Sequence, residues 1–295
     1  MASSPRPFCA DTSRQAGEPL VATASRIDHW VLVEYPGRWA RDAPAGSLIP
    51  REAKEHLRDA LAGLSHGRLL FIRRPDRRAA EERHVYVVRS GGARAEAFRR
   101  TVTDGAGLAA VDPAAMLAGD AERVDHSLLL VCVHGRRDRC CARYGAGVFT
   151  RACEGAGTEA VWQCTHVGGD RFAGNLVCLP EGLYFGHLDP DATGRVLAEY
   201  AAGRIEPGNY RGRSCHSFPQ QAAERAVREA TGTWEIDGVR FVSWRRVAAH
   251  EWLVRFAAGR DGYDVRVTRA DGEPMLLTCD ATVPQRPRRY AAALV

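Results

Sequence analysis

Six of the nine cysteines in this 295-residue chain (Cys132, Cys140, Cys141, Cys153, Cys164 and Cys178) fall within one 47-residue stretch. Such crowding arises from a disulfide framework or from metal and redox chemistry, and the compartment decides which. Residues 1–20 contain Pro5, Pro7, Asp11 and Glu18 and no apolar core of the kind an export signal carries. A cytoplasmic location is therefore expected. Thiols stay reduced there, which favours metal or redox chemistry. The longest apolar runs, such as Leu128 to Val133, fall far short of the roughly 20 residues that cross a bilayer, so no membrane partner is expected. Net charge is only +5, with no basic block interleaved with aromatics, so no nucleic-acid partner is expected either.

A chain of this length exceeds one ordinary core and suggests two or three subdomains. The first, at 1–120, reads as an α/β lobe. His29–Val33 is a short strand. Pro50 opens a helix whose Ala53, Leu57, Ala60, Leu61 and Leu64 share one face. Arg68–Ile72 and His84–Val88 are further strands across a charged loop. The second, at 121–205, has the order β-α-β-β-α that a thioredoxin-type fold needs. Ser127–Val133 is a buried strand, Cys141–Cys153 a helix, Ala160–Cys164 and Asn175–Leu179 two strands, and Leu183–Gly186 their antiparallel partner. A helix follows to about Ala202. The third, at 206–295, is a small α+β region: a helix near 219–231, then strands at Val239–Trp244, Glu251–Ala257, Tyr263–Thr268 and Met275–Thr278.

The middle cysteines occupy chemically useful places on this layout. Cys132 ends a buried strand. Cys141 starts the next helix across a short loop, and Cys164 and His166 sit at the end of the neighbouring strand. Strand ends of α/β sheets converge where such proteins place their sites. Gly168-Gly169 lets the backbone fold tightly enough for His166 and Asp170 to face one point. A helix N-terminus with Arg136, Arg137, Arg139 and Arg143 surrounds the thiols, and such a field stabilises thiolates. Iron–sulfur clusters need four ligands, mostly thiolates, with imidazole as the known substitute.

The segments CVHGRRDRCCARYG (132–145) and WQCTHVGGDRFAGNLVCLPEGLYFG (162–186) resemble the sucrase/ferredoxin-like family, a branch of the thioredoxin-like [2Fe-2S] ferredoxins. CADTSRQAGEPLVATA (9–24), HWVLVEYPGRW (29–39) and YRGRSCHSFPQQAAE (210–224) extend the likeness over roughly 9–225. The resemblance implies an α/β chain with a thioredoxin-like ferredoxin core, carrying one [2Fe-2S] cluster for electron transfer and no sucrase activity. It implies Cys132 and Cys141 as the first ligand pair. The family's H-x-G-G-H loop falls here on His166 and, at its second histidine, on Asp170. The fourth ligand is thus Asp170 or Cys164, two residues before His166. One histidine in place of two implies a reduction potential between all-cysteine and two-histidine clusters.

Two rivals stand beside this reading. A thioredoxin-like thiol-disulfide oxidoreductase would use Cys132, Cys140 or Cys141, although the strand-to-helix loop has no C-x-x-C. An interaction protein with a zinc-filled or vestigial site would use the same ligands, although short C-x2-4-C knuckles are absent. Cys140 is read as a bystander or a residue just behind the ligands, Cys153 and Cys178 as small apolar residues, and Cys9, Cys215 and Cys279 as isolated, structural or incidental residues. Arg136, Arg137, Arg139 and Arg143 form either a solvated loop or a docking surface for an acidic redox partner.

Overall fold

The computed structural model describes residues 7–74, 82–91 and 94–295. The elements in chain order begin with α1 (Cys9–Gln15), β1 (His29–Glu34), α2 (Arg51–Ala62), β2 (Gly67–Arg73), β3 (Arg83–Arg89), β4 (Glu96–Val102), α3 (Gly105–Ala109), α4 (Pro113–Leu117) and β5 (Glu122–Val124). The middle of the chain forms β6 (Leu128–Cys132), α5 (Arg139–Ala156), β7 (Val161–Cys164), β8 (Leu176–Leu179), β9 (Leu183–Phe185) and α6 (Pro190–Ala201). Then come β10 (Tyr210–Arg213), α7 (Phe218–Thr231), β11 (Val239–Ala248), β12 (Glu251–Ala258), β13 (Asp261–Asp271) and β14 (Arg288–Leu294).

Among the described residues, ten strands make one large sheet in the order β10-β9-β8-β6-β7-β2-β1-β3-β4-β5, and β11 to β14 form a separate four-stranded meander. The α/β expectation holds at this level. β6 lies between β7 and β8 in its half of the large sheet. It runs parallel to β7 and antiparallel to β8, and β9 runs antiparallel to β8. All five β6 residues are buried, as a strand covered on both faces requires. The seam to the N-terminal strands is two residue pairs long, Ile72 with Cys164 and Arg73 with Gln163. One apolar layer, including Trp30, Leu130 and Trp162, continues across that seam and takes in Cys132, Cys141 and Cys164. α5 and α6 cover the opposite face of the β6–β10 half, through Val148, Phe149, Val196 and Leu197.

Helix ends follow local chemistry. Asp138 caps α5 by accepting from the Cys140 N–H, and Asp189 caps α6 with Pro190 at its first position. Ser217 and Gln220 close a capping box on α7. The fourth C-terminal strand lies elsewhere than expected. Met275–Thr278 makes only one isolated bridge, Met275 to Gln285, and β14 takes the sheet edge. The Cys279 N–H is bound to Asp138 instead, which draws that segment away from the meander. Among the described residues no helix is long and apolar enough to cross a membrane.

Candidate metal centre

Three elements deliver the donors. Cys132 is the last residue of β6 and its N–H is held by the Asn175 carbonyl. Cys141 is the third residue of α5, and its N–H bonds the Asp138 carbonyl. His166 lies two residues beyond β7. There Thr165 exchanges two hydrogen bonds with the Phe71 backbone, and Arg68 donates to the His166 carbonyl at 2.8 Å. These contacts fix the loop against β2 before any ligand is considered.

The loop then turns sharply. Gly169 has φ +79°, and a Cβ there would lie 2.4 Å from the Arg211 guanidinium, so both conformation and space demand glycine. Asp170 follows, buried, in a single 3-10 turn. Asn175 secures the turn by donating to the Gly169 carbonyl at 3.0 Å. Arg211 stands behind it. Its buried guanidinium donates to Asn175 Oδ1 at 2.7 Å, to the Gly168 carbonyl at 3.2 Å and to the Thr23 carbonyl at 2.6 Å. Nothing in the local pattern around residue 211 signals this role, because its partners lie 36 to 188 residues away.

The Sγ atoms of Cys132 and Cys141 and a ring nitrogen of His166 lie within 4.8 Å of one another, a grouping able to hold a metal ion. Cys141 Sγ is 3.9 Å from His166 Nδ1. Asp170 Oδ1 lies outside that group but beside it, 2.9 Å from His166 Nδ1 and 3.6 Å from Cys141 Sγ. Cys164 is the strand partner of Cys132 in the parallel β6–β7 pair, and it too lies outside the group, packed in the apolar layer. Cys132 and Cys141 are each 1% exposed, whereas the His166 side chain keeps 15%. The site therefore reaches the surface through the imidazole. Arg41, Arg68, His134 and Arg137 line the cleft above it.

The grouped side chains shift one another's protonation. A hydrogen bond from Cys141 holds the Cys132 thiol well below its ordinary range; burial opposes this and His166 assists. Cys141 is pushed up by that same bond and by burial. Burial alone would depress His166, but Asp170 and Cys132 outweigh it and raise it to about 9. The pocket thus sets a thiol held low against an imidazole held high, and a metal ion binding there would have to displace the protons of Cys141 and His166.

Successive helix residues diverge by about 100°, so Cys140 turns away from Cys141. It meets Cys9 at 3.5 Å and Cys279 at 3.3 Å. Cys9 and Cys279 are therefore not isolated, contrary to expectation: with Cys140 and Asp138 they form one buried group. Cys178 is a buried apolar-layer residue, as expected, and Cys153 is half-buried. Arg136, Arg137, Arg139 and Arg143 are all exposed, and the last two lie over the Phe8 ring.

The family model described as sucrase/ferredoxin-like matches residues 20–212, a span containing all three grouped donors and Asp170. No curated protein and no solved structure matches the chain.

Proposed function

The chain belongs to the sucrase/ferredoxin-like family, and from that we propose that it carries one [2Fe-2S] cluster and works in electron transfer. The observation that carries the reading is the meeting of Cys132, Cys141 and His166 within 4.8 Å, although 34 residues of sequence separate the first from the last. Two thiolates and an imidazole are an established iron–sulfur donor set. Asp170 is the fourth ligand in this reading, because its carboxylate already touches both His166 and Cys141. The strand directions and the order β7-β6-β8-β9, with α5 between the two parallel strands, are those of a thioredoxin-like core and support that finer description.

When bound, the cluster supplies one-electron chemistry. The protein's own residues do the rest. β6 and α5 bury both thiols and keep water from them. His166 provides the exposed edge through which an electron can pass, beneath the arginine-lined cleft. Arg136, Arg137, Arg139 and Arg143 form the docking surface for an acidic redox-partner protein, steering it over that edge. Burial of Cys132 and Cys141 argues against thiol-disulfide exchange, which needs a reachable thiolate.

Anaerobic purification tests the reading. The chain should be red-brown, hold equal iron and acid-labile sulfide, and give an electron paramagnetic resonance signal on reduction. Cys164→Ala should keep that signal unchanged and Asp170→Ala should alter it. A colourless chain without iron after reconstitution would reject the cluster.

A further inference from the structure

Beside that centre is a second convergence, two of whose cysteines lie outside the matched residues 20–212. The three sulfurs of Cys9, Cys140 and Cys279 form a nearly equilateral triangle, with sides of 3.5, 3.3 and 3.7 Å. They come from the first turn of α1, the first turn of α5 and the segment after β13, so pairs of them are 131, 139 and 270 residues apart in sequence. Asp138 closes the group, with its two carboxylate oxygens 3.9 and 3.8 Å from Cys9 Sγ. All four side chains are buried.

We propose that Cys9, Cys140 and Cys279, with the Asp138 carboxylate, form a structural site for one zinc ion. Ligands about 2.3 Å from tetrahedral zinc put neighbouring sulfurs about 3.8 Å apart, and the triangle needs only slight expansion to meet that. A disulfide would join two of the sulfurs and leave the third thiol buried against it, which does not account for three near-equal separations. The surrounding backbone is arranged for an anionic site. The Ala10 N–H donates to Cys140 Sγ at 3.4 Å. The Cys140 and Cys279 N–H groups orient the Asp138 carboxylate at 2.8 and 2.7 Å, leaving each oxygen a second lone pair for the metal. The α5 N-terminus adds its partial positive charge. Binding is a simple exchange: three S–H bonds break, three zinc–sulfur bonds and one zinc–oxygen bond form, and three protons leave to solvent.

The consequence is mechanical. Zinc would tie α1 and the residue 279 segment to the start of α5, where the next residue, Cys141, belongs to the other centre. The N-terminal helix and the C-terminal segment would then close over the base of α5 as one unit. This inference does not depend on the iron–sulfur reading, because its ligands are different residues.

The test is elemental analysis of the full chain, purified anaerobically with zinc in the medium, with zinc and iron counted separately. The expected result is one zinc per chain, lost in Cys9→Ser and in Cys279→Ser and kept in Cys153→Ser. Zinc-edge X-ray absorption on the wild type should show three sulfurs at about 2.3 Å and one oxygen, a readout that survives if a variant does not fold. Two sulfurs with an imidazole, or zinc that leaves with Cys132→Ser and stays with Cys9→Ser, would assign the metal to the other centre and overturn the proposal. So would a disulfide mapped between any two of the three cysteines, or a reduced chain that takes up no zinc. Absence of iron alone would sink the cluster reading and leave this one standing.

Discussion

Gly145 brings α5 so close to β6 that a side-chain carbon there would stand 2.2 Å from the Cys132 carbonyl oxygen. That single close approach brings Cys141, one helical turn earlier, down onto Cys132. Gly145→Ala must therefore lift the helix or strain it. The expected cost is about 1–3 kcal/mol of stability, together with lower iron content per chain, because the two sulfurs separate. Urea denaturation and iron analysis on the same sample check both parts. Full iron content in a stable variant would refute the link.

Arg211 supports the ligand loop rather than the ligands. Burial pushes its guanidinium down to about 10, so it remains charged at neutral pH, facing Phe172 and Tyr184. Arg211→Met would leave Asn175 Oδ1 and the Thr23 carbonyl without their donor. A loss of about 2–4 kcal/mol is expected. Amide hydrogen exchange should quicken first in residues 166–171, the segment that Arg211 and Asn175 hold together.

Much of this architecture was legible in the residues and some was not. Leu128–Cys132 announced itself because a strand covered on both faces needs an unbroken apolar run. His166 and Asp170 were legible because two glycines between them permit one tight turn. Cys9 and Cys279 were not. Each is a single cysteine without local spacing, and their contact is made across 270 residues by the packing of α1 and the C-terminal segment on α5. His216 bonds Glu224 at 3.0 Å across the Ser217 N-cap of α7, a contact that no spacing motif marks. Long-range polar contacts leave no periodic trace in a sequence, whereas buried strands and capped helices do.

The aspartate at the second position of the ligand loop sets an electrostatic expectation. In the proposed cluster, an anionic Asp170 carboxylate would stabilise the oxidised state more than a neutral imidazole would. Asp170→His removes that negative charge and gives the loop a second histidine. Its midpoint potential should rise by on the order of 100 mV relative to wild type. Potentiometric titration followed in the visible range measures this. An unchanged potential would place Asp170 outside the ligand set.

Global stability should depend on pH through a buried network of carboxylate, arginine and histidine side chains. Glu224 is fully buried between Arg228 at 2.9 Å, His216 at 3.0 Å and Arg213 at 3.9 Å, with Tyr210 and Cys215 nearby. Burial opposes its ionisation, but Arg228, His216 and Arg213 hold its carboxyl far below the ordinary 4.5. Burial also opposes the His216 cation, but Cys215 and Glu224 outweigh it and raise His216 to about 9 from 6.5. The signs follow by linkage. The stability from His216 is fully present below pH 6.5 and is lost as pH rises through about 9. That from Glu224 is fully present above 4.5 and declines as pH falls towards its lowered folded value. Between those limits both contribute in full. Going from pH 6 to beyond 9 should cost up to about 3 kcal/mol through His216. His216→Gln keeps a donor for Glu224 but cannot titrate, so its stability should be flatter over that window. Denaturation curves of both chains at each pH isolate the difference, and parallel losses would show that His216 is not the titrating group.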